Sequence, residues 1–183
     1  MQAFETTIKD LLIIQPTLFN DSRGYFFESF NEQKFNALTN TQTHFVQDNR
    51  AFSSYGVLRG LHFQNNPHSQ AKLVTVLKGK VLDVAVDLRR HSSTYGQHFS
   101  IELSEENKTQ FFVPRGFAHG YVVLSENAEF FYKCDNFYNK ASEGGIAFDD
   151  ADLKIDWQID LSKAIVSEKD LHNSTLKESQ HNF

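Results

Sequence analysis

The chain has 183 residues, enough for one domain of roughly 100–200 residues with a substantial hydrophobic core. Hydrophobic residues make up 40% and charged residues 22%, a balance that excludes a disordered or low-complexity chain. With 18 Lys and Arg against 23 Asp and Glu the net charge is -5, which argues against a broad nucleic-acid or anionic-membrane footprint; any anion it binds must meet a local basic cluster.

The single cysteine, Cys134, supports neither an internal disulfide nor a Cys-based zinc site, and points to a reducing, cytoplasmic location. Met1 to Thr6 lack the basic and apolar regions of a secretory leader, and the longest aliphatic run, Leu11 to Ile14, is too short to cross a membrane. The bias toward aromatics, 18 Phe and 6 Tyr against 3 Pro, favours pleated, half-buried surfaces.

In chain order, strands are predicted over Leu11 to Ile14 and Tyr25 to Phe30, followed by a short helix over Asn31 to Leu38 with Asn31 as its cap. Further strands are predicted over Phe45 to Ala51 and Val57 to Gln64. Lys72 to Leu88 reads as two alternating apolar runs split by Lys78-Gly79, a hairpin in which Val76 opposes Val81 and Val74 opposes Asp83. Alternation places Lys72, Val74, Val76, Val81, Asp83 and Ala85 on one face and Leu73, Leu77, Leu82, Val84 and Val86 on the other. Both faces are mostly apolar, as inside a sandwich or barrel, and the face bearing Lys72 and Asp83 carries chemistry or a buried ion pair.

Strands over His98 to Leu103, Thr109 to Val113, His119 to Leu124 and Glu129 to Asp135 follow, then a second short helix after Asp160. The polar stretch Asn173 to Phe183 is expected to be peripheral or loosely ordered. Many short strands with few helices make an all-β antiparallel sandwich, jelly roll or small barrel, in a single domain over residues 1–183.

Three clusters carry candidate chemistry. In Asp21-Ser-Arg-Gly-Tyr-Phe-Phe-Glu28, Arg23 is either a solvated turn charge or part of a phosphate clamp. In Arg59-Gly-Leu-His62-Phe-Gln64, alternation puts Gly60, His62 and Gln64 on one face and Arg59 on the other. His62 could be an ordinary core histidine, but Lys72, ten residues on, is a second polar exception in an apolar strand. Pro114-Arg-Gly-Phe-Ala-His119 fits the Pro-x-Gly-x-x-His pattern of cupins, small jelly-roll barrels. Metal-binding cupins add His-x-His and a Glu; this chain has His62-Phe-Gln64 and, seven residues before Gly79, Lys72. A cation at the carboxylate position opposes a divalent metal, so a metal-free pocket is expected. A neutral His can take a proton, an ammonium can stabilise an oxyanion, and a phenol, for which Tyr132 is the candidate, can return a proton. That set suits proton abstraction α to a ketone.

With these stretches go Gln47-Asp-Asn49, Gln70-Ala-Lys-Leu-Val74, Asp83-Val-Ala-Val-Asp-Leu-Arg89, Tyr132-Lys-Cys134 and Glu143-Gly-Gly-Ile146, and together they resemble the dTDP-4-dehydrorhamnose 3,5-epimerases from Phe4 to about His172. The resemblance implies a cupin-type antiparallel jelly-roll barrel with a few short peripheral helices. It implies inversion of dTDP-4-dehydro-6-deoxy-D-glucose at C3 and C5 to give dTDP-4-dehydro-L-rhamnose, with no cofactor and no metal, in a homodimer. It further implies His62 as general base, Asp170 as the carboxylate orienting it, Tyr132 as general acid and Lys72 on the C4 oxygen. His119 is implied as a second pocket histidine with Asp83 as its hydrogen-bond partner. Arg23 and Arg59 match diphosphate contacts, and Glu28, Gln47, Asp48 and Asn49 match nucleoside and sugar contacts. Glu143 and Lys169 match further substrate positions, and Tyr138 the thymine pocket. A 3- or 5-mono-epimerase on a related dTDP-4-ketosugar would share these residues. A non-catalytic sugar-nucleotide-binding cupin would need a broken acid or base, and neither His62 nor Tyr132 is missing.

Overall fold

The computed structural model describes residues 1–183. In chain order it contains β1 (Gln2–Glu5), β2 (Leu12–Gln15), β3 (Phe19–Asp21), β4 (Gly24–Phe26), helix α1 (Glu32–Thr39), β5 (Gln47–Ser54), β6 (Val57–Gln64), β7 (Lys72–Lys78) and β8 (Lys80–Asp87). There follow β9 (His98–Ser104), β10 (Gln110–Val113), β11 (Phe117–Val123), β12 (Asn127–Cys134), β13 (Glu143–Gly145), β14 (Ile165–Val166) and helix α2 (Glu168–Leu171). One sheet runs β1-β2-β10-β7-β12-β5 and the other β13-β6-β11-β8-β9, with β14 added beside β6. The β3–β4 hairpin belongs to neither sheet. This is the cupin-type jelly roll with peripheral helices expected from the sequence.

Asn31 caps α1 by accepting the Lys34 N–H, and Asn40 ends it in the left-handed region at φ 52. β6 has the expected limits, and most other strands differ by one to three residues. Tyr25 to Phe30 is strand only as far as Phe26, and the second helix is a 3-10 turn (Leu161–Lys163) followed by α2. β1, β3, β13 and β14 have only two to four residues each, too few to show alternation.

Lys78-Gly79 does not turn a hairpin, which corrects the expected pairing of Val76 with Val81. β7 pairs with β10 and β12, whereas β8 pairs with β11 and β9, so the link crosses from one sheet to the other. The predicted faces survive. Val74, Val76, Val81 and Ala85 meet in the core between the sheets, and Leu82, Val84 and Val86 pack outside with Leu61, Ile146 and Trp157. Alternation fixes the face a side chain takes, not the strand beside it. Gly79 makes the crossing possible: its φ is +74, and a Cβ there would lie 2.0 Å from the Asn127 carbonyl oxygen. Gly79→Ala should therefore destabilise the protein by about 2 kcal/mol or more, and an unchanged urea midpoint would contradict this account of the crossing.

The polar tail lies against the barrel. Ser174 bridges Ile146, Asp150 accepts the Leu176 N–H at 2.7 Å, Ser179 and His181 are buried, and Asn182 exchanges hydrogen bonds with Asn65 and Asn66. Several of its polar groups bond to protein backbone and amides, a pairing composition does not reveal.

Candidate active site

Between the pairs His119↔His62 and Tyr121↔Arg59, β6 advances three residues against two on β11. The extra residue reverses the alternation, so Arg59 and His62 line the same interior, contrary to the opposite faces expected from simple alternation. Gly60 permits the bulge: its φ is +127, and a Cβ would stand 2.6 Å from Gly120 Cα.

His62 donates through Nε2 to Asp170 Oδ1 at 2.6 Å. A carboxylate only accepts, so the proton sits on Nε2 and the Nδ1 lone pair is left free. Burial pushes the Asp170 carboxyl up, but the bond from His62, the Gly60 N–H and the Ser167 hydroxyl outweigh it and hold it below the usual carboxylate range. Ser167 also caps α2, accepting the Asp170 N–H at 3.2 Å. The Ser-x-x-Asp spacing of Ser167 and Asp170 is a capping signal that the sequence carried and the sequence reading overlooked.

The pocket lies between the sheets as two openings of about 290 and 200 Å³ that share His62, Lys72 and Tyr132. Lys72 Nζ stands 5.9 Å from the centre of the Tyr132 ring. Desolvation lowers the Lys72 ammonium, against the fields of Cys134, Asp83 and Glu143, which favour its charge. Tyr132 is pushed up to about 12 by burial and by Cys134 and Tyr121, so near neutrality its hydroxyl keeps its proton and is a donor. His119 bonds Asp83 at 2.8 Å, and burial pushes the Asp83 carboxyl up and the His119 imidazole down, holding both toward their neutral forms.

At the outer opening, Gln47 and Asn49 line the pocket with Tyr138 and Glu143. Gln47 Oε1 accepts the Tyr138 N–H at 3.1 Å, the Tyr138 hydroxyl donates to Glu143 Oε2 at 3.1 Å, and Lys169 grips Glu143 Oε1 at 2.5 Å. Gln64, which stands where a second metal histidine would, spends its amide on the backbone of His68, Phe137 and Asn139 and so anchors the Tyr138 loop. Gln70 also lines this opening; it stands in a stretch that carries the resemblance but was given no role there.

Three expected residues are not brought in. Asp48 lies on the opposite face of β5, paired with Lys133 at 2.9 Å, as its odd place between Gln47 and Asn49 requires. Arg23 sits on the detached hairpin, 88% exposed and bonded to Asp21, and Glu28 is exposed beside Lys34.

A family model described as dTDP-4-dehydrorhamnose 3,5-epimerase matches residues 5–178. The chain is 44% identical to the dTDP-4-dehydrorhamnose 3,5-epimerase of Shigella flexneri over 99% of both chains. It superposes on the crystal structure of that enzyme from Elizabethkingia anophelis with a TM-score of 0.95, at 60% identity over 97% of each chain. A Legionella pneumophila dTDP-6-deoxy-D-glucose-3,5-epimerase solved with dTDP-4-keto-L-rhamnose gives 0.93 at 45% identity, over 97% of this chain and 93% of that one. On sequence and structure alike, this chain belongs to the dTDP-4-dehydrorhamnose 3,5-epimerase family.

Proposed function

We propose that the protein is an isomerase that inverts dTDP-4-dehydro-6-deoxy-D-glucose at C3 and C5 to give dTDP-4-dehydro-L-rhamnose. The observation that carries this reading is the His62–Asp170 pair sharing one pocket with the Tyr132 hydroxyl and the Lys72 ammonium. His62 Nδ1 takes the proton α to the C4 ketone, Lys72 stabilises the enolate oxygen, and Tyr132 returns a proton to the other face. C3 and C5 both flank C4, so one oxyanion stabiliser serves both inversions and one base and one acid act twice. The Lys72 ammonium in this pocket, and Gln64 spending its amide on backbone, favour proton transfer without a metal or other cofactor.

Arg59 is the diphosphate contact, with Gln47, Asn49, Tyr138, Glu143 and Lys169 around the sugar and nucleoside. Remote binding energy from the nucleotide then holds the sugar against the reacting groups. Arg59→Ala should weaken dTDP binding about 10-fold or more and leave thymidine binding unchanged; equal losses for both would remove Arg59 from the phosphate.

The active form we propose is a homodimer. Phe19, Tyr25 and Phe26 on the detached hairpin are 62%, 57% and 71% exposed, and β5 is an open sheet edge with Phe52 62% exposed. A second copy would cover these surfaces, and in it Arg23 and Glu28 would meet the other subunit's nucleotide. Sedimentation as a monomer at working concentration would overturn this. No helix is long and apolar enough to cross a membrane, and the lone buried thiol suits the cytoplasm.

The deciding experiment is incubation of EDTA-treated protein with dTDP-4-dehydro-6-deoxy-D-glucose in deuterated water, with deuterium read by NMR. Label at C3 and C5 supports the double epimerase, label at one carbon selects a mono-epimerase, and label at neither rejects epimerisation.

A further inference from the structure

The Tyr121 hydroxyl, beside Arg59 and Ser53, makes no hydrogen bond of normal geometry within the protein, although the residue is only 5% exposed. Leaving a buried hydroxyl unpaired costs about 1–3 kcal/mol, so its persistence in a functional cleft calls for a partner that arrives with a ligand. The residue lies opposite Arg59 across the β6–β11 ladder, and its ring stacks on Phe130 with centroids 3.9 Å apart and planes 16° from parallel. That stacking fixes the direction of the hydroxyl. Both Tyr121 and Arg59 line the inner opening of the pocket beside His62 and Tyr132.

The groups nearest this hydroxyl are occupied with one another. Arg59 directs Nε and Nη2 to Ser53 Oγ at 3.3 and 3.2 Å, which leaves its remaining N–H donors free on a residue that lines the same opening as Tyr121. Two donors, one of them a fixed cation, converge best on an anionic acceptor. Burial pushes the Tyr121 phenol up, so it remains a donor across the neutral range.

Building on the proposed substrate class, we propose that Tyr121 is a substrate-binding residue whose hydroxyl donates to a phosphate oxygen of the nucleoside diphosphate and completes a subsite with Arg59. Tyr121 differs in role from Tyr132: it holds the nucleotide in place and gives up no proton during turnover.

The test compares wild type with Tyr121→Phe in three readings: dTDP affinity by calorimetry, thymidine affinity by NMR titration, and thermal midpoint without ligand. The expected result is a dTDP dissociation constant raised about 10-fold or more, unchanged thymidine affinity and an unchanged or higher thermal midpoint, since the hydroxyl removed had no protein partner. Unchanged dTDP affinity overturns the inference. So does a parallel loss for dTDP and thymidine, or a lowered midpoint without ligand, either of which would make the hydroxyl structural. Failure of the wild type to bind dTDP would instead reject the substrate reading on which this one rests.

Discussion

His62→Asn should fold, bind dTDP and lose about 10²- to 10⁴-fold in turnover, the range expected for a positioned general base. Asparagine retains a hydrogen-bonding group for Asp170, which otherwise would be left buried with one partner fewer. Deuterium incorporation should fall at C3 and C5 together, because a single Nδ1 lone pair is available for both. Loss at one carbon alone would mean that a second base serves the other, and His119 would be the first residue to try. Retained turnover would remove His62 from the mechanism.

Lys72→Met should cost about 10²- to 10³-fold in kcat, as for loss of one oxyanion donor, with dTDP affinity little changed because the proposed partner of the ammonium is the sugar's C4 oxygen. Its effect on stability has the opposite sign. Desolvation lowers the Lys72 pKa below its ordinary 10.5 in the folded protein. Between the folded-state pKa and 10.5 the folded chain binds this proton less than the unfolded chain does, so stability rises as pH climbs through that window. Methionine removes the charge and the penalty together. The variant's thermal midpoint at neutral pH should equal or exceed that of the wild type, while catalysis collapses. A lowered midpoint would show that the field of Asp83 and Glu143 more than repays the desolvation. Preserved kcat would place the oxyanion elsewhere.

The chemistry was more legible in the sequence than the geometry that assembles it. His62 and Lys72 stood out as polar exceptions in apolar strands and Tyr132 as the candidate phenol, and the structure gathers all three around one pocket. Period-2 alternation assigned Lys72, Val74, Val81 and Ala85 to a shared interior even though their strands lie in different sheets. It failed at Arg59, because a bulge adds one residue and reverses every face beyond it. It failed at Lys78-Gly79, because a glycine with positive φ suits a tight hairpin and a sheet crossing equally well. Asp48 was grouped with Gln47 and Asn49 by motif, where the strand's own alternation turns it to the other face, beside Lys133. Arg23 and Glu28 lie on a segment whose position no local pattern fixes.

The pairing of His62 with Asp170 joins residues 108 positions apart, one on a central strand and the other on a short helix near the end of the described chain. A ribosome therefore makes the base long before the carboxylate that orients it, and every strand of both sheets is synthesised before Asp170. A partly made chain can bury much of its core and still hold an imidazole with no fixed tautomer. The reactive lone pair thus comes under control only after the strands of both sheets have been made.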